Sequence, residues 1–212
     1  MRYLKALVLA LAIVFTTSYI VILVTEPVDY TIEANLLPYS PGKTSKDSVA
    51  IYRLAFSDNV TCSGFVIDDN YMITSAHCIH HPKDPVMVIG KGGIYNVMAV
   101  RTKQDLALIG GDFKGDSRVE IDFNDNGLAY QYGISIGFPG NQRSILLSGM
   151  VILGGIDAQI IAQGDIYRGM SGGPLVVYRG DHIRIVGVNH ATDDNHHASF
   201  SSIEGADKLF GI

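Results

Sequence analysis

The sequence predicts an all-β protein, on three observations. Short runs of apolar and β-branched residues recur along most of the 212 residues, and clusters of Gly, Asn and Asp separate them. Glycine is abundant, at 23 residues, which suits many tight turns. No sustained 3.6-residue period occurs before Glu204 to Phe210, and 204–212 are expected to form a short helix or tail.

In chain order, the expected strands begin with Val49–Phe56, Cys62–Ile67 and Tyr71–Thr74, with Asp68-Asp69-Asn70 as a turn between the last two. Val86–Ile89, Ile94–Val100, Leu106–Ile109 and Val119–Phe123 follow. Tyr132–Phe138, Ile145–Leu153, Ala158–Ala162, Pro174–Tyr178, His182–Val188 and Ala198–Ile203 complete the set. No internal repeat is visible, and periodicity alone does not separate a sandwich from a pair of barrels.

The amino terminus reads differently. Ala6 to Val24 carries no charge over 19 residues, and a helix of that length spans about 28 Å, close to the hydrocarbon core of a bilayer. Arg2 and Lys5 precede it and Glu26 and Asp29 follow it, so the positive-inside bias puts the remainder outside the cytoplasm. The expectation is a retained single-pass signal anchor over 1–25, touching the lipid bilayer through 6–24. The competing reading is a cleaved signal peptide with a poor site near Thr16 and Ser18, which would leave a secreted protein. Either way the domain is periplasmic or extracellular. Residues 26–47, broken by Pro27, Pro38, Pro41 and Gly42, read as a tether.

Composition excludes several classes. Asp and Glu number 21 against 16 Lys and Arg, a formal charge of −5, so no nucleic-acid partner is expected. Hydrophobic residues at 47% and charged ones at 17% exclude a disordered chain. Two cysteines, Cys62 and Cys78, exclude a disulfide-rich mini-protein and a four-cysteine zinc module.

Three short motifs carry chemistry. Thr74-Ser75-Ala76-His77-Cys78 follows an apolar strand, Gln104-Asp105 leads into another, and Gly169-Met170-Ser171-Gly172-Gly173-Pro174-Leu175 precedes a third. Serine is a weak nucleophile until a base takes its proton, and histidine is that base near neutral pH. A carboxylate fixes the histidine tautomer, and glycines let backbone N–H groups approach a developing oxyanion.

The order His77, Asp105, Ser171 in these contexts resembles the chymotrypsin-like (trypsin-like) serine peptidases over about residues 48 to 205. Ile166-Tyr167-Arg168-Gly169-Met170-Ser171 and Gly137-Phe138-Pro139-Gly140 are most similar to the bacterial HtrA/Deg-like branch, the latter also to glutamyl endopeptidases. The resemblance implies two six-stranded antiparallel β-barrels packed face to face, about 48–124 and 125–204, within a peptidase domain over 48–206. It implies a serine endopeptidase acting on proteins or peptides through an acyl-enzyme, with no cofactor and no metal. His77 is then general base and acid, Asp105 its orienting partner, Ser171 the nucleophile, and the N–H groups of Gly169 and Ser171 the oxyanion hole. The alternative is a catalytically inactive binding protein on the same fold, anchored at the membrane.

Cys62-Ser63-Gly64 also resembles the family's Cys-Gly-Gly strand, and Cys78 follows 16 residues later, like the family's disulfide beside the catalytic histidine. Two free thiols are the alternative; an oxidising compartment favours the bond. Met170 stands where digestive members have an aspartate that pairs with a new amino terminus, and no Ile-Val-Gly-Gly start occurs, so no such zymogen step is expected. The chain stops at Ile212, so no PDZ domain is expected to regulate it.

Asp165, six residues before Ser171, matches the aspartate that floors the primary pocket of trypsin-like members and would favour Arg or Lys. A solvated turn at Gly164-Asp165 is the alternative. Asn189 and His190 are expected on the other pocket wall, where His190 could meet an acidic substrate side chain. His80, His81, His196 and His197 are read as solvated loop histidines rather than metal ligands. Gly90-Lys91-Gly92-Gly93 is a turn, since no phosphate-loop Ser or Thr follows.

Overall fold

A computed structural model describes residues 31–33 and 48–211, apart from 94, 117, 119, 123–126, 141 and 181. The described strands form two antiparallel sheets. The first holds β1 (Thr31–Glu33), β2 (Ser48–Ala55), β3 (Thr61–Val66), β4 (Tyr71–Ser75), β5 (Met87–Val88), β6 (Asn96–Arg101) and β7 (Leu106–Gly110). Its order is β1-β2-β3-β4-β7-β6, with β5 on β2. The second holds β8 (Tyr132–Gly137), β9 (Leu146–Ile156), β10 (Gln159–Gln163), β11 (Pro174–Arg179), β12 (His182–Thr192) and β13 (His197–Ser202). It is a closed barrel in the order β10-β13-β12-β11-β8-β9. A short helix, α1 (Ala206–Phe210), follows.

The all-β class stands, and the two closed barrels need correction. The first sheet is a half-barrel. Its gap lies between β5 and β6, where, among the described residues, only Val86 and Tyr95 form an isolated bridge. Pro85 on one side and left-handed Gly90 and Gly93 on the other cut β5 to two residues, which pair with β2 and make no ladder with β6. Of the strand expected at Val119–Phe123, the structure describes 120–122. Ile121 makes a single parallel bridge to Ile185, on the part of β12 that β13 leaves uncovered.

Part of the stretch read as a tether is a strand, because β1 pairs antiparallel with β2 from Thr31↔Ala50 to Glu33↔Ser48. The rest of it, the expected anchor at 6–24 and the division between barrels near Asn124 lie outside the described residues. Among the described residues no helix is long and apolar enough to cross a membrane.

Strand alternation sorts the core into three layers. On β2, Ala50, Tyr52 and Leu54 face the inside of the first sheet with Val66, Met72 and Phe113. Val49 and Ile51 point the other way, against Ile134, Ile136 and Val188 of the second barrel. Met150, Ile160, Met170 and Phe200 fill that barrel. Met170 is thus a core residue, which accounts for an apolar side chain just before Ser171. The shared middle layer holds the two sheets together, and the chemistry-bearing motifs come from both.

Candidate active site

His77 sits on a 3-10 turn, Ala76–Cys78, that continues β4. The β4–β7 register places Ser75 opposite Leu106, so the residues just beyond those ends, His77 and Asp105, meet. Asp105 is left-handed at φ 52°, a conformation that Asp tolerates better than most residues. Its carbonyl accepts from Ala76 N–H at 3.1 Å. Its carboxylate Oδ1 accepts from His77 N–H at 2.8 Å, and Oδ2 lies 2.9 Å from His77 Nδ1. Two contacts to one carboxylate fix both the backbone and the ring of His77. Asp105 is mostly buried, whereas the His77 side chain is 42% exposed and open to a substrate.

Cys62 on β3 and Cys78 on the 3-10 turn form a disulfide, both sulfurs buried in the first sheet. It braces the segment that carries His77.

The Ser171 loop is held by backbone from both sheets. Gly172 N–H donates to the Asn189 carbonyl at 2.9 Å, and Asn189 N–H donates to the Gly173 carbonyl at 2.8 Å. From the first sheet, Ser63 N–H donates to the Ser171 carbonyl at 2.8 Å. Gly172 has φ +86°, and a Cβ there would lie 2.1 Å from Thr74 Oγ1 and 2.2 Å from the Ser63 carbonyl oxygen, so only glycine fits. Among the described residues, the amides of Gly169 and Ser171 donate to no protein acceptor. Two backbone donors beside Ser171 are therefore free for a ligand oxygen. The Ser171 hydroxyl itself donates to the His190 carbonyl at 3.4 Å, and no hydrogen bond joins it to His77.

The three residues expected at the pocket each have partners within the protein. Asn189 is fully buried. Its Oδ1 accepts from Ser135 Oγ, and both Nδ2 hydrogens are taken, by the carbonyls of Ile136 and Met170. It clamps the nucleophile loop from beneath and presents nothing to a substrate. His190 is the extra residue of a β-bulge, since β12 pairs Asn189 with Phe200 and then Ala191 with Ser199. The bulge breaks the strand's alternation and re-aims the side chain. Its Nδ1 lies 3.3 Å from Asp105 Oδ2, and its ring centroid is 5.3 Å from that of His77. Asp165 is engaged by His196, Nδ1 to Oδ1 at 2.8 Å, which raises the pKa of His196. Of the other loop histidines, His80 pairs with Asp58 and His197 with Asp193.

One positioning residue was missed. The Ser63 hydroxyl, fully buried, donates to the Gly169 carbonyl and accepts from Phe138 N–H, both at 2.9 Å. The only hint in the sequence was a small polar residue within an apolar strand.

An all-β fold of two antiparallel sheets in this order, one of them a closed barrel, is that of a trypsin-like, serine-type endopeptidase. The model of the trypsin-like peptidase domain matches residues 62–188, and the chain belongs to that family. No curated protein matches the chain. Solved structures with this fold include an HtrA-type protease, AlgW, with a tripeptide (18% identity, TM-score 0.64, 76% of this chain and 58% of that one). The serine endoprotease from Yersinia pestis is 21% identical, with TM-score 0.62 over 76% of this chain and 60% of that one. The Rv3671c protease in its inactive form is 17% identical, with TM-score 0.61 over 76% of this chain and 89% of that one.

Proposed function

We propose that the chain hydrolyses peptide bonds through His77, Asp105 and Ser171. The observation that carries this is the double hold of Asp105 on His77, which leaves Nε2 as the free, basic nitrogen. In the proposed cycle Ser171 Oγ turns from the His190 carbonyl onto His77 Nε2, a bond of the kind that often tightens only with substrate. His77 takes the proton as Oγ attacks the scissile carbonyl. The Gly169 and Ser171 amides receive the oxyanion. His77 then gives the proton to the leaving amine, and water repeats the sequence on the acyl-enzyme. Ser171→Ala should lower kcat on a protein substrate by at least about 10,000-fold with the fold intact. Unchanged hydrolysis in that variant would end the proposal.

One observation favours a second reading. The Ser171 hydroxyl is engaged by the His190 carbonyl, as it would be in an inactive, peptide-binding member of the fold. Binding of an unhydrolysed peptide by the unsubstituted chain would establish that reading.

A preference for Arg or Lys rests on Asp165. Its carboxylate is about one-third exposed and shares its charge with His196. That charge is released as His196 loses its proton, so a Lys-over-Leu preference at the cleavage site should rise with pH and vanish in Asp165→Asn. The proposed organisation is a membrane anchor over 1–25, with the peptidase domain over 48–206 on the extracytoplasmic side. The disulfide supports an oxidising compartment.

A further inference from the structure

Asp105 Oδ2 has two imidazole neighbours. His77 Nδ1 lies at 2.9 Å and His190 Nδ1 at 3.3 Å. The proposed reaction uses only the first. His190 Nδ1 is buried and has no aligned hydrogen bond, so a polar atom faces the carboxylate without a well-made partner. The ligand atoms of His77, Asp105 and His190 all lie within 4.8 Å of one another. Among the described residues, no other group of three His, Cys, Asp or Glu side chains converges this closely.

We propose that His77, Asp105 and His190 form a three-ligand site for a divalent transition-metal ion such as Zn²⁺, and that an ion bound there switches the peptidase off. The loss of turnover rests on the catalytic role proposed for His77; the binding rests on geometry alone. Ligand atoms about 2.0–2.2 Å from a tetrahedral ion stand roughly 3.3–3.4 Å apart. The His190–Asp105 edge already has that length, and the His77–Asp105 edge is slightly short of it. The remaining adjustment falls on the His77 ring, which has room because it is 42% exposed. Two imidazoles and one carboxylate suit zinc, nickel or copper rather than magnesium or calcium, which prefer oxygen. Water completes the fourth position.

The inhibition follows from the tautomer. In the hydrogen-bonded site the His77 proton is on Nδ1, pointing at Asp105, and Nε2 holds the lone pair that takes the Ser171 proton. A metal on Nδ1 uses the lone pair there, and the ring proton resides on Nε2. His77 is then blocked as a base. No bond of the protein breaks, and removal of the ion restores the first tautomer.

The test is calorimetric titration of Zn²⁺ into the full chain carrying Ser171→Ala, which reads binding without turnover. One ion should bind, and His190→Gln and His77→Gln should each weaken it at least about tenfold. The double variant His196→Gln/His197→Gln, which removes the other histidine cluster, should bind as the parent does. Far-UV circular dichroism confirms the fold of each variant. Independently of any substitution at His190, crystals soaked in Zn²⁺ should show anomalous density between His77, Asp105 and His190. No binding, no density there, or binding lost only in the His196/His197 variant would overturn the site. If zinc binds at the site and turnover of the unsubstituted chain is unaffected, the inhibition is overturned and the role of His77 with it.

Discussion

Removal of the Ser63 hydroxyl tests how the two sheets share one site. Ser63 belongs to β3 of the first sheet, yet its Oγ holds the Gly169 carbonyl and the Phe138 N–H of the second, both at 2.9 Å in full burial. Ser63→Ala deletes one donor and one acceptor without filling the space. Each lost buried hydrogen bond costs about 1–2 kcal/mol when its partner stays buried, so the domain should lose about 2–4 kcal/mol. For a domain of this size that is a fall in Tm of about 5–15 °C. Activity should fall separately. Gly169 is the proposed oxyanion donor, and its peptide is fixed through the carbonyl that Ser63 holds. Complete loss of one such donor costs about 100–1,000-fold in kcat. The Met170 N–H bond to the Tyr167 carbonyl still restrains the loop, so a fall of about 10–100-fold in kcat is expected, with KM little changed. Scanning calorimetry and steady-state hydrolysis below the lowered Tm give both numbers. A stability loss with unchanged kcat would show that Ser63 braces the fold and not the oxyanion site. An unchanged Tm would refute the hydrogen-bond accounting itself.

Cys62→Ser with Cys78→Ser should destabilise the domain by about 3 kcal/mol through the freed 16-residue loop, read as a lower urea midpoint; no change would mean that the packing around the bond suffices. Gly172→Ala should be worse than Ser63→Ala, because its Cβ meets the Ser63 carbonyl oxygen at 2.2 Å and the residue must hold φ +86°; a normally folded variant would contradict the loop geometry. His196 should titrate above the usual imidazole value, because the Asp165 carboxylate accepts from its ring. The pair therefore favours the protonated form, so what it contributes to stability is present below about pH 6.5 and lost as pH rises through the raised pKa. Imidazole NMR titration should show that rise and its disappearance in Asp165→Asn; an equal pKa in both would refute the pairing.

Local chemistry was legible in the sequence where the signal was local. Strands such as Leu106–Gly110 and Pro174–Arg179 fall within a residue or two of their apolar runs. Cys62 and Cys78 were paired by motif. What failed was long-range or depended on a break in periodicity. No residue pattern marks that Thr31–Glu33 pairs with the edge of β2, because three residues are too few to show a strand period. Closure of the first sheet was assumed from resemblance, while the proline and glycines around β5 decide it locally. Asn189 and His190 were expected on the pocket wall from the family resemblance. Asn189 proved to be an internal clamp with its side-chain amide fully engaged, and the bulge at His190 turned that ring onto Asp105. Ser63 stood inside a recognised motif, but its partners lie 75 and 106 residues away.

The proposed reaction requires that Ser171 be a nucleophile activated by His77 on Asp105. The most direct measurement is reaction of the folded, oxidised chain with a fluorophosphonate, followed by mapping of the adduct by mass spectrometry. A single adduct on Ser171 is expected, forming at a negligible rate in His77→Ala. Labelling that ignores that substitution, or that falls on another serine, would contradict it.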